Sequence, residues 1–173
     1  TAYGPLQDVY YPIYWRNADR VGIICPQTTP QWAEVEVSVS GATESEADLS
    51  DTGMVWGEGL HDFYAFYPSG AIRANAGSIL VAAVPAVQTC NNVECNMQYA
   101  CMSACAEDVA QGEVVSFAFR PLMTTVAVSV GFSETVEVQK LVLSSANDAV
   151  AGQFTHDIAA NVSTVDPDRR SNV

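Results

Sequence analysis

The most reactive side chains in this chain are its five cysteines, Cys25, Cys90, Cys95, Cys101 and Cys105. A thiol can ligate a soft metal, close a disulfide or attack an electrophile, and spacing separates these uses. The last four are separated by four, five and three intervening residues. The paired Cys-x2-Cys units of structural zinc sites are absent, and the run does not match iron–sulfur ligation. Disulfides are the expected role: Cys90 with Cys95 and Cys101 with Cys105, leaving Cys25 as a buried thiol. Cross-pairings and free thiols are the alternatives. No metal and no cofactor is expected.

The other candidates for chemistry are weaker. His61 and His156 are the two histidines, and Asp157 follows the second. A Ser-His-Asp triad is recognised by geometry, and nothing in the spacing points to one. There is no Gly-x-Ser-x-Gly elbow and no phosphate loop; Gly53, Gly57 and Gly59 look like turn glycines. Carboxylates at Glu44, Glu46, Asp48 and Asp51 do not follow the Asp-x-Asp-x-Asp-Gly spacing of a calcium loop, so residues 41–53 read as a solvated loop. Asn161-Val162-Ser163 fits a glycosylation acceptor, a triplet with meaning only in a eukaryotic secretory pathway. Catalysis is not expected.

Aromatic side chains crowd the start, among them Tyr10, Tyr11, Tyr14 and Trp15. Exposed rings beside Asp and Asn can stack on sugars, whereas amphipathic rings covering a core edge are commoner. These four are the candidate ligand or edge contacts.

The elements that must position these residues are strands. Residues 114–130 (VVSFAFRPLMTTVAVSV) hold two alternating apolar runs around Arg120-Pro121. Period-2 alternation of β-branched and aromatic residues signals half-buried strands. Phe117, Phe119, Val126 and Val128 are therefore expected in the core. Pro121, which cannot donate to a ladder, is expected at a corner. Residues 34–40 (EVEVSVS) alternate cleanly, with Val35, Val37 and Val39 facing in. Residues 61–67 (HDFYAFY) are apolar on both faces, which fits a central strand covered on both sides. Further strands are expected at 21–25, 78–84, 136–143 (with a bulge near Lys140) and 153–156. Residues 104–110 are the one weak helix candidate, and 166–173 a polar, fraying tail. Some eight strands point to an all-β sandwich.

At 173 residues the chain suits about one domain and can bury a core without staples. Seven Lys+Arg stand against twenty Asp+Glu, a formal charge of −13. That field repels phosphate backbones and anionic lipid, so nucleic acid is excluded as a partner. No apolar run approaches the roughly 20 residues of a membrane-spanning helix. The chain does not begin with Met, and a processed, exported form is expected.

Several landmarks, taken in order, resemble one family. Trp15-Arg16-Asn17-Ala18-Asp19-Arg20-Val21-Gly22 resembles the W-x-N-x-D-x-[IV]-G opening of fimbrillin-like proteins. Phe63-Tyr64-Ala65-Phe66-Tyr67-Pro68 is similar to their F-x-A-Y-Y-P strand, and Val84-Pro85-Ala86-Val87-Gln88 to their [LV]-P-A-x-Q segment. Phe117-Ala118-Phe119-Arg120-Pro121-Leu122, with Thr125-Val126, resembles their F-x-F-x-H-L…V strand pair. Residues 138–144 and Gly152-Gln153-Phe154 resemble the closing V-x-K-[IVL]-x-L-S…G-x-F strands. Phe63, Ala65, Pro85, Phe117, Phe119, Pro121, Val126 and Val128 are landmarks of the fold. None transfers as an active-site residue.

The resemblance implies a transthyretin-like Greek-key β-sandwich of seven or eight strands. It divides the chain into an N-terminal extended or edge segment (1–14), the sandwich (15–160) and a polar tail or linker (161–173). It also implies a structural subunit or accessory tip component of a fimbria of anaerobic Gram-negative bacteria. Such a subunit is exported as an outer-membrane lipoprotein and assembles with other subunits by strand exchange. The alternative is a monomeric cell-surface adhesin or glycan-binding module that meets a host or bacterial surface glycan or protein. Two departures stand out. Pro121 replaces a frequent His, and the cysteine cluster is not a hallmark of the family. A lipid-attachment cysteine would lie upstream of Thr1, and a second β domain would follow residue 173.

Overall fold

The computed structural model describes residues 2–3, 12–70, 73–89, 99–126, 128 and 130–171. Its regular elements are strands: β1 (Ala2–Tyr3), β2 (Ile13–Tyr14), β3 (Arg20–Ile24), β4 (Thr28–Thr29), β5 (Trp32–Ser38), β6 (Asp48–Leu49), β7 (Val55–Trp56), β8 (Leu60–Tyr67), β9 (Arg73–Ala76), β10 (Ile79–Val84), β11 (Met102–Ala110), β12 (Arg120–Pro121), β13 (Ala151–Asp157) and β14 (Val162–Ser171). They form a six-stranded sheet ordered β12-β11-β8-β3-β5-β6 and a four-stranded sheet ordered β14-β13-β10-β9. Pairings β1-β2 and β4-β7 stand apart. Every ladder is antiparallel. The protein is an all-β sandwich.

β8 explains the layering. Its side chains alternate between two faces, and both faces are apolar. Phe63, Ala65 and Tyr67 join Val21, Ile23, Val35, Val37, Met102 and Ala104 in one core cluster. Tyr64 and Phe66 join Ile24, Cys101, Leu80, Ala82, Phe154 and Ile158 in the other. The second cluster lies between the two sheets, since Leu80 and Ala82 come from β10 and Phe154 from β13. The first is closed differently. Ile13, Trp15, Leu49, Trp56, Val115, Phe117 and Phe119 pack over it, all of them outside the four-stranded sheet.

β5 shows where the small sheet stops. Ala33, Val35 and Val37 are buried, and Trp32, Glu34, Glu36 and Ser38 are exposed. On that uncovered face the Arg20 guanidinium bridges Glu34 at 2.7 Å and Glu36 at 2.6 Å. Val39, just past the strand, is half-buried against the first cluster.

The central expectations for β3, β5, β8, β10 and β13 hold within a residue or two. Phe63 and Ala65 are buried, and Pro85 is half-buried directly after β10. Several expectations fail. First, residues 114–119 form no strand; Val115, Phe117 and Phe119 are half-buried in alternation, so the face was correct and the ladder was not. Second, Val126 and Val128 are exposed, at 56% and 52%, because the chain after β12 leaves the sheet instead of returning along it. Third, Pro121 is not at a corner but pairs with Met102 at the sheet edge, where a residue without an N–H is tolerated. Fourth, residues 136–143 form no strand and are exposed. The weak helix candidate at 104–110 is strand β11.

The tail differs too. Residues 161–171 are neither frayed nor a linker, because β14 adds to β13. A ladder at a sheet edge needs backbone groups, not apolar side chains, so a polar composition hid it. Pro167 falls where the register slips: Phe154 faces Val165, whereas Gly152 faces Arg170. Asn161, at a φ of 52°, closes the turn between the two strands, a conformation Asn tolerates well. The two main sheets together also hold more strands than the seven or eight expected.

Candidate functional site

Two regions separate from the packed scaffold: an apolar arm leaving one sheet edge, and a hydrogen-bonded histidine between the sheets.

The arm begins where β12 ends. None of the described residues of 124–149 belongs to a strand. Val126, Val128, Val130, Phe132, Val136, Val138, Leu141, Val142 and Leu143 are each half or more exposed. Scattered exposed apolar residues are ordinary on a protein surface. Nine large ones within one 18-residue segment are a concentration of the kind that marks an interaction site. The period-2 alternation that a strand partner would read runs through Val126, Val128, Val130 and Phe132 and again through Val136 and Val138, and slips at Lys140. The arm leaves from β12, an edge strand, and edges offer unpaired backbone groups for strand addition.

The aromatic candidates at the start divide. Tyr10 and Tyr11 lie outside the described residues. Tyr14 is half-buried in β2. Trp15 packs edge-on against Tyr67, with ring centroids 5.4 Å apart, and against Phe119 at 5.2 Å. The Tyr67 hydroxyl donates in turn to Asp19 Oδ1 at 3.0 Å. Trp15 is thus a plug over the first core cluster, not a free stacking platform.

The cysteines also divide. Cys90 and Cys95 lie outside the described residues. Cys25, Cys101 and Cys105 are free thiols. The expected Cys101–Cys105 bridge is not formed. Four residues of extended chain span roughly 13 Å, well beyond the ~7 Å Cα limit for a disulfide. Cys101 is fully buried between the sheets, and desolvation pushes its thiol up to about 11. Burial likewise raises the Cys25 thiol, against smaller opposing hydrogen bonds from Gln27 and Thr28. Both behave as small core hydrophobes, and among the described cysteines Cys105 alone is exposed. Among the described residues no group of three or more His, Cys, Asp and Glu converges on a metal position.

His61 is fully buried beside Trp56, whose ring centroid is 4.8 Å away. Its Nε2 accepts the Gly57 N–H at 3.0 Å, so a neutral ring carries its proton on Nδ1. That nitrogen has no partner among the described residues.

His156 is also buried, and both of its nitrogens are engaged. Nε2 lies 3.1 Å from Ser103 Oγ on β11, and Nδ1 lies 3.0 Å from Ser163 Oγ on β14. The ring therefore ties the two sheets together across the second core cluster. Desolvation holds its pKa below the ordinary histidine value, partly offset by the Asp157 charge. Asp157 itself is held low, first by the Ser78 hydroxyl donating at 2.8 Å. The sequence gives His156 an inward phase, two residues from Phe154 in an alternating strand. It cannot give the serines, because Ser103 lies 53 residues away on the facing sheet.

The fold places the chain in the class of all-β sandwich proteins. It matches no protein-family model, no curated protein and no solved structure.

Proposed function

We propose that this chain is a structural subunit, or an accessory or tip component, of a bacterial surface fimbria. It assembles by adding a strand to a neighbouring subunit. The observation that carries this reading is the exposed arm at 124–149, which follows an edge strand and holds nine large exposed apolar side chains, six of them (Val126, Val128, Val130, Phe132, Val136 and Val138) in strand-like alternation. In strand addition the backbone ladder supplies affinity, and alternate side chains seated in pockets supply specificity. The resemblance to fimbrillin-like proteins supports the same reading and adds export to the cell surface as an outer-membrane lipoprotein. The rival glycan-binding reading loses its main aromatic, because the Trp15 ring is packed on Tyr67 and Phe119.

The test charges the arm without touching the core. Val128 and Leu141 are 52% and 63% exposed, so Val128→Lys with Leu141→Lys leaves the sandwich folded. Circular dichroism is expected to be unchanged, with the loss of higher-order species in size-exclusion chromatography with light scattering. Assembly unaltered by the two lysines would overturn the reading.

A further inference from the structure

Ser163, whose hydroxyl meets the buried His156 ring, lines a groove. The groove has a volume of about 170 Å³ and lies at the edge of the four-stranded sheet. Val84, Leu122, Met123, Phe154 and Val165 give it apolar walls, and Ser163 stands among them. Ser163 is exposed and directly opposite His156 in the β13–β14 ladder, so both side chains project to the same face. Behind them Ser103 is buried and holds the far nitrogen of the ring. An accessible hydroxyl, a buried imidazole and a buried group that orients the imidazole make the three-part relay of an activated serine.

We propose that Ser163, His156 and Ser103 form an acyl-transfer site for small esters with a short apolar acyl group. With the ring proton on Nε2, that N–H donates to Ser103 Oγ, and the Nδ1 lone pair accepts the Ser163 hydroxyl. Ser163 Oγ attacks the ester carbonyl and its proton passes to Nδ1. The tetrahedral intermediate collapses, the C–O bond to the alcohol breaks, and Nδ1–H protonates the departing oxygen. Water then repeats the sequence on the acyl-serine, releasing the carboxylic acid and restoring the hydroxyl. No oxidant, reductant or metal enters. Ser163 and His156 touch the reacting atoms; Ser103 is a positioning residue that fixes tautomer and ring angle. The wall residues and the volume suit an acyl chain of a few carbons.

The test uses the whole chain with a fluorophosphonate probe and p-nitrophenyl butyrate. The probe is expected to lose fluoride and leave one phosphoryl adduct on the peptide containing Ser163. Ser163→Ala, an exposed change that leaves the core intact, is expected to abolish both adduct and hydrolysis. His156→Gln is expected to lower kcat by about 100-fold or more, the usual contribution of a general base. Ser103→Ala is expected to lower kcat with KM unchanged, and Ser103→Thr to restore it. That split separates positioning from a merely structural role. Absence of a Ser163 adduct under conditions that saturate a control serine esterase would overturn the proposal. So would hydrolysis that survives Ser163→Ala.

Discussion

Gly22 is the position at which a single methyl group tests the packing between the sheets. It lies in β3, paired with Glu34 on one side and with Phe66 on the other. A Cβ there would meet Trp32 Cζ3 at 2.5 Å and Phe66 Cε2 at 2.6 Å, and would come closer still to Phe66 Cζ. Real Cβ atoms do not approach other atoms so closely, so one of the rings must move. The backbone is not the obstacle, because Gly22 does not occupy the left-handed region. The two rings differ in freedom. Trp32 is 43% exposed and can swing outward, whereas Phe66 is 0% exposed and stacked on it with an interplanar angle of 13°. Overpacking a core costs about 1–3 kcal/mol, and the fixed Phe66 ring places Gly22→Ala near 2 kcal/mol. For a chain of this length that is roughly 4–8 °C in Tm. Urea unfolding followed by tryptophan fluorescence should show a lower midpoint with an unchanged slope. Phe66→Leu removes the obstructing ring edge. A double-mutant cycle should therefore return a coupling of about 1 kcal/mol or more. Gly22→Ala within about 0.5 kcal/mol of the parent would refute the reasoning. Full rescue by Trp32→Ala alone would show that the outer ring, not the buried one, is the barrier.

Two further outcomes follow from burial. His156 has a folded pKa below its unfolded one, so between the two values the unfolded chain binds more protons. Its contribution is complete above the ordinary histidine value of 6.5 and is lost as pH falls through that value toward the lower folded one. Urea midpoints from pH 8 to pH 5 should decline over that window. The decline should flatten in His156→Gln, and an unchanged slope would mean that His156 is not the titrating group. Cysteine alkylation gives the other check. At pH 8 about one Cys101 thiol in a thousand is ionised if its pKa is about 11. Iodoacetamide with peptide mapping should therefore modify Cys105 quickly in the native protein, and Cys25 and Cys101 only after denaturation. A disulfide joining Cys101 to Cys105 would contradict the extended chain between them.

Legibility in the sequence followed from how many faces of a strand are buried. Both faces of β8 are covered, so its unbroken aromatic run announced a central strand. One face of β5 is covered, and its alternation announced that face. Gly22 could be quoted as part of a resemblance, but its reason, two rings meeting over a bare Cα, exists only in three dimensions. The same holds for Ser103 and Ser163, which are unremarkable polar residues until two sheets bring them to one imidazole.

The contrast between β14 and the arm shows what alternation does and does not encode. Residues 162–171 carry charges and a proline, and the chain from 166 on reads as a fraying tail, yet they pair along β13. Residues 126–143 carry the better strand pattern, yet their described part lies outside every ladder. Pattern reports which side chains would share a face; it says nothing about whether a backbone edge is within reach. β14 follows β13 through a tight turn at 158–161, so loop closure is short and its ladder forms despite its composition. The arm follows β12, a two-residue strand at the outer edge of the large sheet, and finds no comparable template within the described chain. An apolar, strand-patterned segment without such an edge gains most from an edge on another molecule. That is the physical basis for reading it as the assembling part of this protein, and for expecting Val128→Lys with Leu141→Lys to abolish association while leaving the sandwich intact.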